Sequence, residues 1–403
     1  LLEQFGKYHT HTTMTLYTLA YLRRKQGMDY EETLRLADAA EIRDTYPARL
    51  AEIRVLTFAR EQNAVKAPFL LGCLLYDKKQ ADAAIAHWEA SVQQDPGQAL
   101  VHRNLAIARY NKQGDADAAL REMEQARRLD PGYPRLLLEY DQLAARLGRS
   151  NAARLQLLEE NLALVEQRDD LMLRYVTLLN CEGRCEEALQ ILLTRRFHPW
   201  EGGEGKVSAQ YRYALIRLAK DCLNRGENDR AVQLLEQSKT YPDTLGEGKL
   251  PNVPDNEADY WQGVALRAMG REPEAAAAFL RAASGPQEPG RVLYYNDQPS
   301  DFIYYQGLAQ RAMGNEAAAR KAFHKLLTYG ETHLFDAVAY DFFAVSLPEI
   351  EVFADDIALR NRQYCNYLRA LGCAGLGRTS EAAELFAGIL ELQPDDQGAL
   401  RHA

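Results

Sequence analysis

At 403 residues, with 47% hydrophobic and 26% charged side chains and a net charge of −9, the chain has the material for several ordinary domains or one long stack. Acids and bases are interspersed instead of clustered, which argues against the basic stripe of a nucleic-acid groove, and no run of about 18 apolar residues exists to span a membrane. The opening Leu1-Leu2-Glu3-Gln4 has neither a methionine nor a signal-peptide pattern, so the sequence reads as a fragment cut upstream.

Residues 1–64 are the least regular. His9 and His11 alternate in Tyr8-His9-Thr10-His11-Thr12, a pattern that suits a strand edge or loop better than a ligand pair. A helix is expected from about Met14 to Gln26, ending at Gly27. A second begins at Asp29, whose carboxylate can serve as N-cap, and Tyr46-Pro47 opens a third. The second and third form a degenerate repeat.

From Val65 onward a small alanine recurs with a bulky residue four positions later. The pairs are Ala84/Trp88, Ala119/Met123, Ala153/Leu157, Ala188/Leu192, Ala231/Leu235, Ala275/Phe279, Ala319/Phe323 and Ala382/Phe386. A small side chain lets two antiparallel helices touch, and the large one fills the space against the next pair. A second marker runs in phase: Gly114, Gly148, Gly183, Gly226, Gly270, Gly314 and Gly377 each stand where the first helix of a pair must turn into the second. The expected fold is therefore all-α, with irregular helices over 1–64 and a right-handed superhelix of about eight helical hairpins over 65–403.

The first three alanine intervals are close to 34 residues, the period of the tetratricopeptide repeat. Ala382, Phe386 and Pro394, and earlier Gly263, Ala275 and Phe279, also resemble that family's pattern. The resemblance implies a groove lined by first helices that binds peptides or proteins. The third copy departs from it, with Tyr140-Asp141 in place of a Leu-Gly pair and no closing proline. In register, Tyr76, Asp77, Arg103, Tyr110, Asn111, Gln142, Arg146, Asn180, Lys220, Asn224, Arg267 and Arg311 point toward the groove. That mixture suits either an extended peptide or a solvated wall.

Later intervals lengthen by roughly 9, 10, 10 and 29 residues, an excess that belongs between successive hairpins. All such junctions share one edge, so the four insertions are expected to form one lip. Phe197-His198-Pro199-Trp200-Glu201-Gly202-Gly203-Glu204-Gly205-Lys206 is answered by Tyr241-Pro242-Asp243-Thr244-Leu245-Gly246-Glu247-Gly248-Lys249, so Gly-Glu-Gly-Lys recurs after an aromatic and a proline. A phosphate loop does not fit, because Trp200 and Asp243 stand where the Walker pattern needs glycine. Either each loop pins its lysine in a salt bridge, or the lip binds a ligand through His198, Trp200, Glu204, Lys206, Tyr241, Glu247, Lys249, Tyr294 and Tyr295.

This doublet, followed by Asn256-Glu257-Ala258-Asp259-Tyr260-Trp261-Gln262-Gly263, resembles the C-terminal part of large, mostly bacterial proteins of unknown function whose upstream half is a mutarotase-like β domain. The resemblance implies a link to carbohydrate metabolism but carries over no catalytic residue. Acidic pairs such as Glu201/Glu204 and Asp355/Asp356 abound by composition alone. Cys181 and Cys185 lack the partner pair a zinc site needs, so neither metal nor cofactor is expected; the scattered thiols suit a reducing, bacterial type of cytoplasm. The sequence thus points to a noncatalytic scaffold that binds a protein, a peptide or its own upstream domain. The alternative is an accessory module that completes a carbohydrate site.

Overall fold

The computed structural model describes residues 12–42, 45–294, 297–340 and 352–402. His9, His11, Tyr295 and the middle of the fourth insertion lie outside them. Most of the described residues are helical and none is in a strand. The chain divides into two compact units, 1–140 and 141–403.

The first unit holds α1 (Thr13–Lys25), α2 (Glu31–Ala39), α3 (Leu50–Glu61), α4 (Ala67–Asp77), α5 (Ala81–Gln94), α6 (Ala99–Ala108) and α7 (Ala116–Leu129). Local chemistry sets their starts. The Thr12 hydroxyl accepts from the Thr15 amide to cap α1, and Asp29 accepts from the Glu31 amide just ahead of α2. The third helix begins at Leu50, later than Tyr46-Pro47 suggests, because Glu52 reaches back to the amides of Ala48 and Arg49. One apolar core runs from Met14 through Leu56, Leu70 and Trp88 to Leu105, so the irregular N-terminal helices and the first hairpins share it.

Helix α8 (Pro134–Arg146) contains the division between units. The second unit continues with α9 (Asn151–Glu159), α10 (Leu162–Val165), α11 (Asp169–Cys181), α12 (Cys185–Thr194), α13 (Lys206–Asn224) and α14 (Asn228–Gln237). Then follow α15 (Asn256–Ala268), α16 (Glu272–Ala282), α17 (Phe302–Ala312), α18 (Glu316–His333), α19 (Ile357–Gly375), α20 (Thr379–Leu392) and α21 (Gln397–His402). The four insertions fall between α12 and α13, α14 and α15, α16 and α17, and α18 and α19, each joining a second helix to the next first helix.

Both repeat markers have a physical basis. All seven turn glycines have positive φ, between 65° and 85°, a conformation that ends the first helix at no steric cost. Ala84, Ala119, Ala188, Ala231, Ala275, Ala319 and Ala382 are buried, as are their bulky partners. Three of the aromatic partners, Trp88, Phe279 and Phe323, press on a glycine of the facing helix: a Cβ on Gly263 would stand 2.6 Å from the Phe279 ring, one on Gly72 2.5 Å from Trp88 and one on Gly307 2.5 Å from Phe323.

The third copy corrects the sequence register by one residue. Ala153 is exposed and Leu157 only half-buried, while Arg154 and Leu158 take the inward positions. The cause is Asp141. A buried carboxylate on α8 requires a cation opposite, and Arg154 supplies it with two hydrogen bonds at 2.9 and 3.1 Å.

Arg267 and Arg311, placed on the groove by register, tie neighbouring hairpins together. Each guanidinium lies over the ring of its own hairpin, Phe279 at 4.5 Å and Phe323 at 4.9 Å. Each also donates to a carbonyl at the end of the next first helix, Ala312 or Gly375.

Phe279→Ala is expected to cost roughly 3 to 5 kcal/mol, because it removes a 1% exposed ring that seats on Gly263 and carries Arg267. A urea midpoint equivalent to less than about 1 kcal/mol would show that the ring does not hold the hairpin together.

Candidate functional site

In the second unit the first helices receive the chain's own residues 393–402, of which Gln397–His402 form the short helix α21. Residues 393–402 run along α11, α13, α15 and α17 in the order of the hairpins. At the near end, Asn151 Nδ2 donates to the Pro394 carbonyl at 2.7 Å. Asp395 Oδ2 accepts from Arg154 Nη1 at 2.9 Å and Arg174 Nη2 at 3.4 Å, the same two guanidiniums that hold Asp141. Burial disfavours an ionised Asp141, but Arg174 and Arg154 outweigh it and hold its carboxyl below the ordinary value.

Midway, the side-chain amides of Gln210 and Gln397 meet at 2.8–2.9 Å. Asn180 steadies this pair by donating to the Gln210 backbone and side-chain oxygens at 3.1 and 3.0 Å. Asp396 caps the short α21 through the Ala399 amide at 2.8 Å.

At the far end, Arg401 Nη1 donates to Glu257 at 2.7 Å and lies 3.6 Å from Asp301. Its guanidinium also lies over the Tyr213 ring at 5.4 Å. Lys220 donates to the Arg401 carbonyl at 3.4 Å. His402 closes the segment among Tyr304, Tyr305, Tyr367 and Phe386, stacked on the last with 6.0 Å between centroids.

Only part of this was legible as a site. Of the sequence candidates, Lys220 reaches the segment, and Asn180 steadies Gln210, which does. Arg146 donates to the Ala354 carbonyl, while Asn224 is exposed. Sequence reasoning missed Asp141, Arg154, Arg174, Glu257, Asp301 and the whole terminal segment. The one available signal was Tyr140-Asp141, a charge where the repeat wants a small residue.

The lip candidates group by loop. The first two insertions pack together, the Phe197 amide donating to the Thr244 carbonyl at 2.8 Å. Glu247 accepts from the amides of Gly205 and Ser208 at 2.7 and 3.0 Å, so the second loop caps the helix that follows the first. Lys249 is paired with Asp255 at 2.5 Å and donates to the Lys239 carbonyl at 3.2 Å. His198 is bound to Asp169 at 2.9 Å, and Trp200 covers the Gly203 backbone. Lys206 opens α13.

Glu204 differs from its counterpart. Its Oε2 is buried without a hydrogen-bond partner, and it lines a cavity of about 330 Å³ with Ser208, Arg212, Tyr241, Glu247 and Gln298. Tyr294 belongs to the later loops, its ring 6.3 Å from Tyr340.

The first unit has an open cavity of about 340 Å³ on its own first helices. Tyr76 and Cys73 of α4, Trp88 of α5, and Arg103 and Ile107 of α6 line it, with Tyr46 and Tyr133 also at its walls. Glu139 fixes Arg103 with two bonds of 2.5 Å. Beyond Arg103, α6 passes into a π-helical turn over Arg109–Gln113 that carries Tyr110 and Asn111, and Asn111 meets the Tyr76 hydroxyl.

The thiols are poorly suited to chemistry. Burial pushes Cys73 and Cys181 up to about 12 and Cys185 and Cys365 to about 11. Among the described residues no cluster of His, Cys, Asp and Glu is arranged to hold a metal ion, and no helix is long and apolar enough to cross a membrane.

A tetratricopeptide repeat model matches residues 301–329, most of the α17–α18 hairpin. Among solved structures, the chain is similar to YrrB, described as a tetratricopeptide protein with an unusual peptide-binding site. That match has 15% identity, covers 55% of this chain and 96% of YrrB, and has a TM-score of 0.34. A tetratricopeptide repeat protein from Parabacteroides merdae matches at 16% identity over 74% of this chain and 98% of its own, TM-score 0.29. A structure of Naa15/Naa10 bound to HypK-THB matches at 14% identity over 96% of this chain and 64% of that one, TM-score 0.40. The fold is all-α, built of tetratricopeptide-type hairpins.

His402 gives the terminal segment a pH dependence. Burial, with Arg401 and Lys220 nearby, pushes its imidazole well below the ordinary 6.5. The folded state therefore keeps His402 neutral while the unfolded chain protonates, and stability is lost as pH falls through about 6.5. Between pH 7.5 and 5.5 the native chain is expected to lose about 1.4 kcal/mol more than His402→Phe. Asp301 and Asp396, raised by burial, shift the other way but remain in both proteins and cancel. Parallel urea-stability curves for the two proteins would count against a buried neutral imidazole.

Proposed function

We propose that the chain is a noncatalytic scaffold whose first helices bind peptide segments of other proteins. The observation that carries this reading is the occupied face of the second unit, where side chains of α9, α11, α13, α15 and α17 hold the stretch from Pro394 to His402 through both its backbone and its side chains. In the first unit the equivalent face is open, and its cavity of aromatic walls with a fixed Arg103 suits an apolar or aromatic side chain flanked by an acidic group. An upstream domain of the same protein is one source of such a segment.

Selection of peptides displayed on phage against the intact chain should recover ligands, and Tyr76→Ala with Arg103→Ala should weaken the best of them at least tenfold. Selection that yields no peptide, or ligands indifferent to both substitutions, would remove the first unit from this role.

A second reading is favoured by the buried, unpartnered Oε2 of Glu204. A carboxylate facing a cavity of about 330 Å³ beside Tyr241 and Arg212 suits a polyhydroxylated ligand such as a sugar, which would make the lip an accessory to carbohydrate chemistry. Glu204→Gln should then reduce carbohydrate binding on a glycan array while leaving the melting temperature unchanged. Glu247→Gln, which weakens the cap on α13, should lower the melting temperature. An array on which the native chain binds no glycan would remove the sugar reading.

A further inference from the structure

We infer that the cavity of the first unit is a binding site for a small aromatic carboxylate, held by a guanidinium charge that the protein leaves unbalanced in its wall. This goes beyond the peptide-binding reading, which uses the same walls but does not depend on a free acid.

Charge in that wall does not cancel. Glu139 of α8 is 2% exposed, and two cations stand against it. Arg103 donates through Nε and Nη2 at 2.5 Å to both carboxylate oxygens, and Arg135 donates through Nε at 2.8 Å to one of them. Among the described residues, Arg103 meets only the neutral Asn104 side chain besides, at 3.2 Å, and no second acceptor meets Arg135. One carboxylate therefore balances one of two guanidiniums, and both guanidiniums line the cavity. Cys73 adds no negative charge, because burial pushes its thiol up to about 12. The Asn104 amide donates to the Cys73 sulfur at 3.4 Å, a weak acceptor, and so has capacity left for an anion.

The rest of the cavity is largely apolar and rich in rings. Phe69 and Tyr76 of α4 and Trp88 of α5 line it, with Tyr46 and Tyr133 also at its walls. Two of these rings spend their polar tips inside the protein: Trp88 Nε1 donates to the Phe69 carbonyl at 3.1 Å, and the Tyr76 hydroxyl meets Asn111. What they offer a ligand is ring surface, with 5.4 Å between their centroids. A cavity of ~150 Å³ is enough for benzene, so one of about 340 Å³ takes a body of one or two rings together with its acid group.

A ring and a single negative charge in one small molecule satisfy both features at once. Arg135 is 46% exposed, so an anion reaches it from solvent, while Arg103 is 16% exposed and already fixed. A carboxylate can take the two Nη groups of Arg135 as a fork and matches the surplus of one charge, whereas a phosphate dianion would exceed it.

Isothermal titration of the intact chain with naphthylacetate and with its neutral amide separates the charge from the ring. The acid is expected to bind with one site per chain, and the amide at least tenfold more weakly. Arg135→Gln should weaken the acid at least tenfold while leaving the amide within about twofold. Absence of acid binding, equal binding of acid and amide, or acid binding indifferent to Arg135→Gln would each overturn the inference. Those results would leave the peptide reading standing, because phage-selected ligands are scored through Tyr76 and Arg103. Binding of the acid beside a peptide selection that yields nothing would support the small ligand and remove the peptide from this cavity.

Discussion

A carboxylate stays ionised away from water only when cations stand against it, and the second unit is organised around one that does. Asp141 is fully buried, yet Arg154 and Arg174 keep it charged. Two cations for one anion overcompensate. Asp395 also stands against both guanidiniums, so an electrostatic requirement of α8 is met in part by a residue 254 positions later. Once Asp395 is fixed, the chain direction carries Gln397 to Gln210 and Arg401 to Glu257. The neutral state of His402 follows from the same placement, because burial, and then Arg401 and Lys220 beside it, oppose another positive charge.

The parts of this fold that were legible in the sequence are those that repeat. An alanine, a ring four residues later and a glycine at the turn each answer a local need, and a need met in every hairpin leaves a period. Asp141 broke that period, and reading past it set the third copy one residue out of register. In residues 393–402 only Pro394 fell on the period, and it says nothing of what the segment meets. Asn151 and Pro394 are 243 positions apart, and nothing in either residue's neighbourhood names the other. Long side chains hide their contacts in another way: register fixes where the Cβ of Arg267 or Arg311 points, but four further bonds let each guanidinium fold back over a phenylalanine and reach the next hairpin.

The duplicated Gly-Glu-Gly-Lys loops illustrate how identical sequence acquires unequal roles. Glu247 finds the free amides at the start of α13, because the second loop lies against the first. Glu204 has no preceding insertion in the equivalent position, since the doublet begins with its own loop, and one of its oxygens is left buried without a partner. Position in the stack decides the chemistry. The motif supplies the glycine conformations and the carboxylate, while the neighbouring loop determines whether that carboxylate is consumed as a cap.

The same logic explains a polar terminal segment where an apolar one would bind more tightly. A face lined with leucine would need a permanent cover, because an exposed apolar patch invites association with any similar surface. A face lined with Arg154, Arg174, Glu257 and Asp301 is hydrated when uncovered, and its opposed charges repel an occupant placed in the wrong direction. The two ends carry opposite charge, and that fixes the direction in which residues 393–402 cross these helices. The hairpins supply a rigid frame through their buried alanines and rings, and the charges set on that frame determine what it holds.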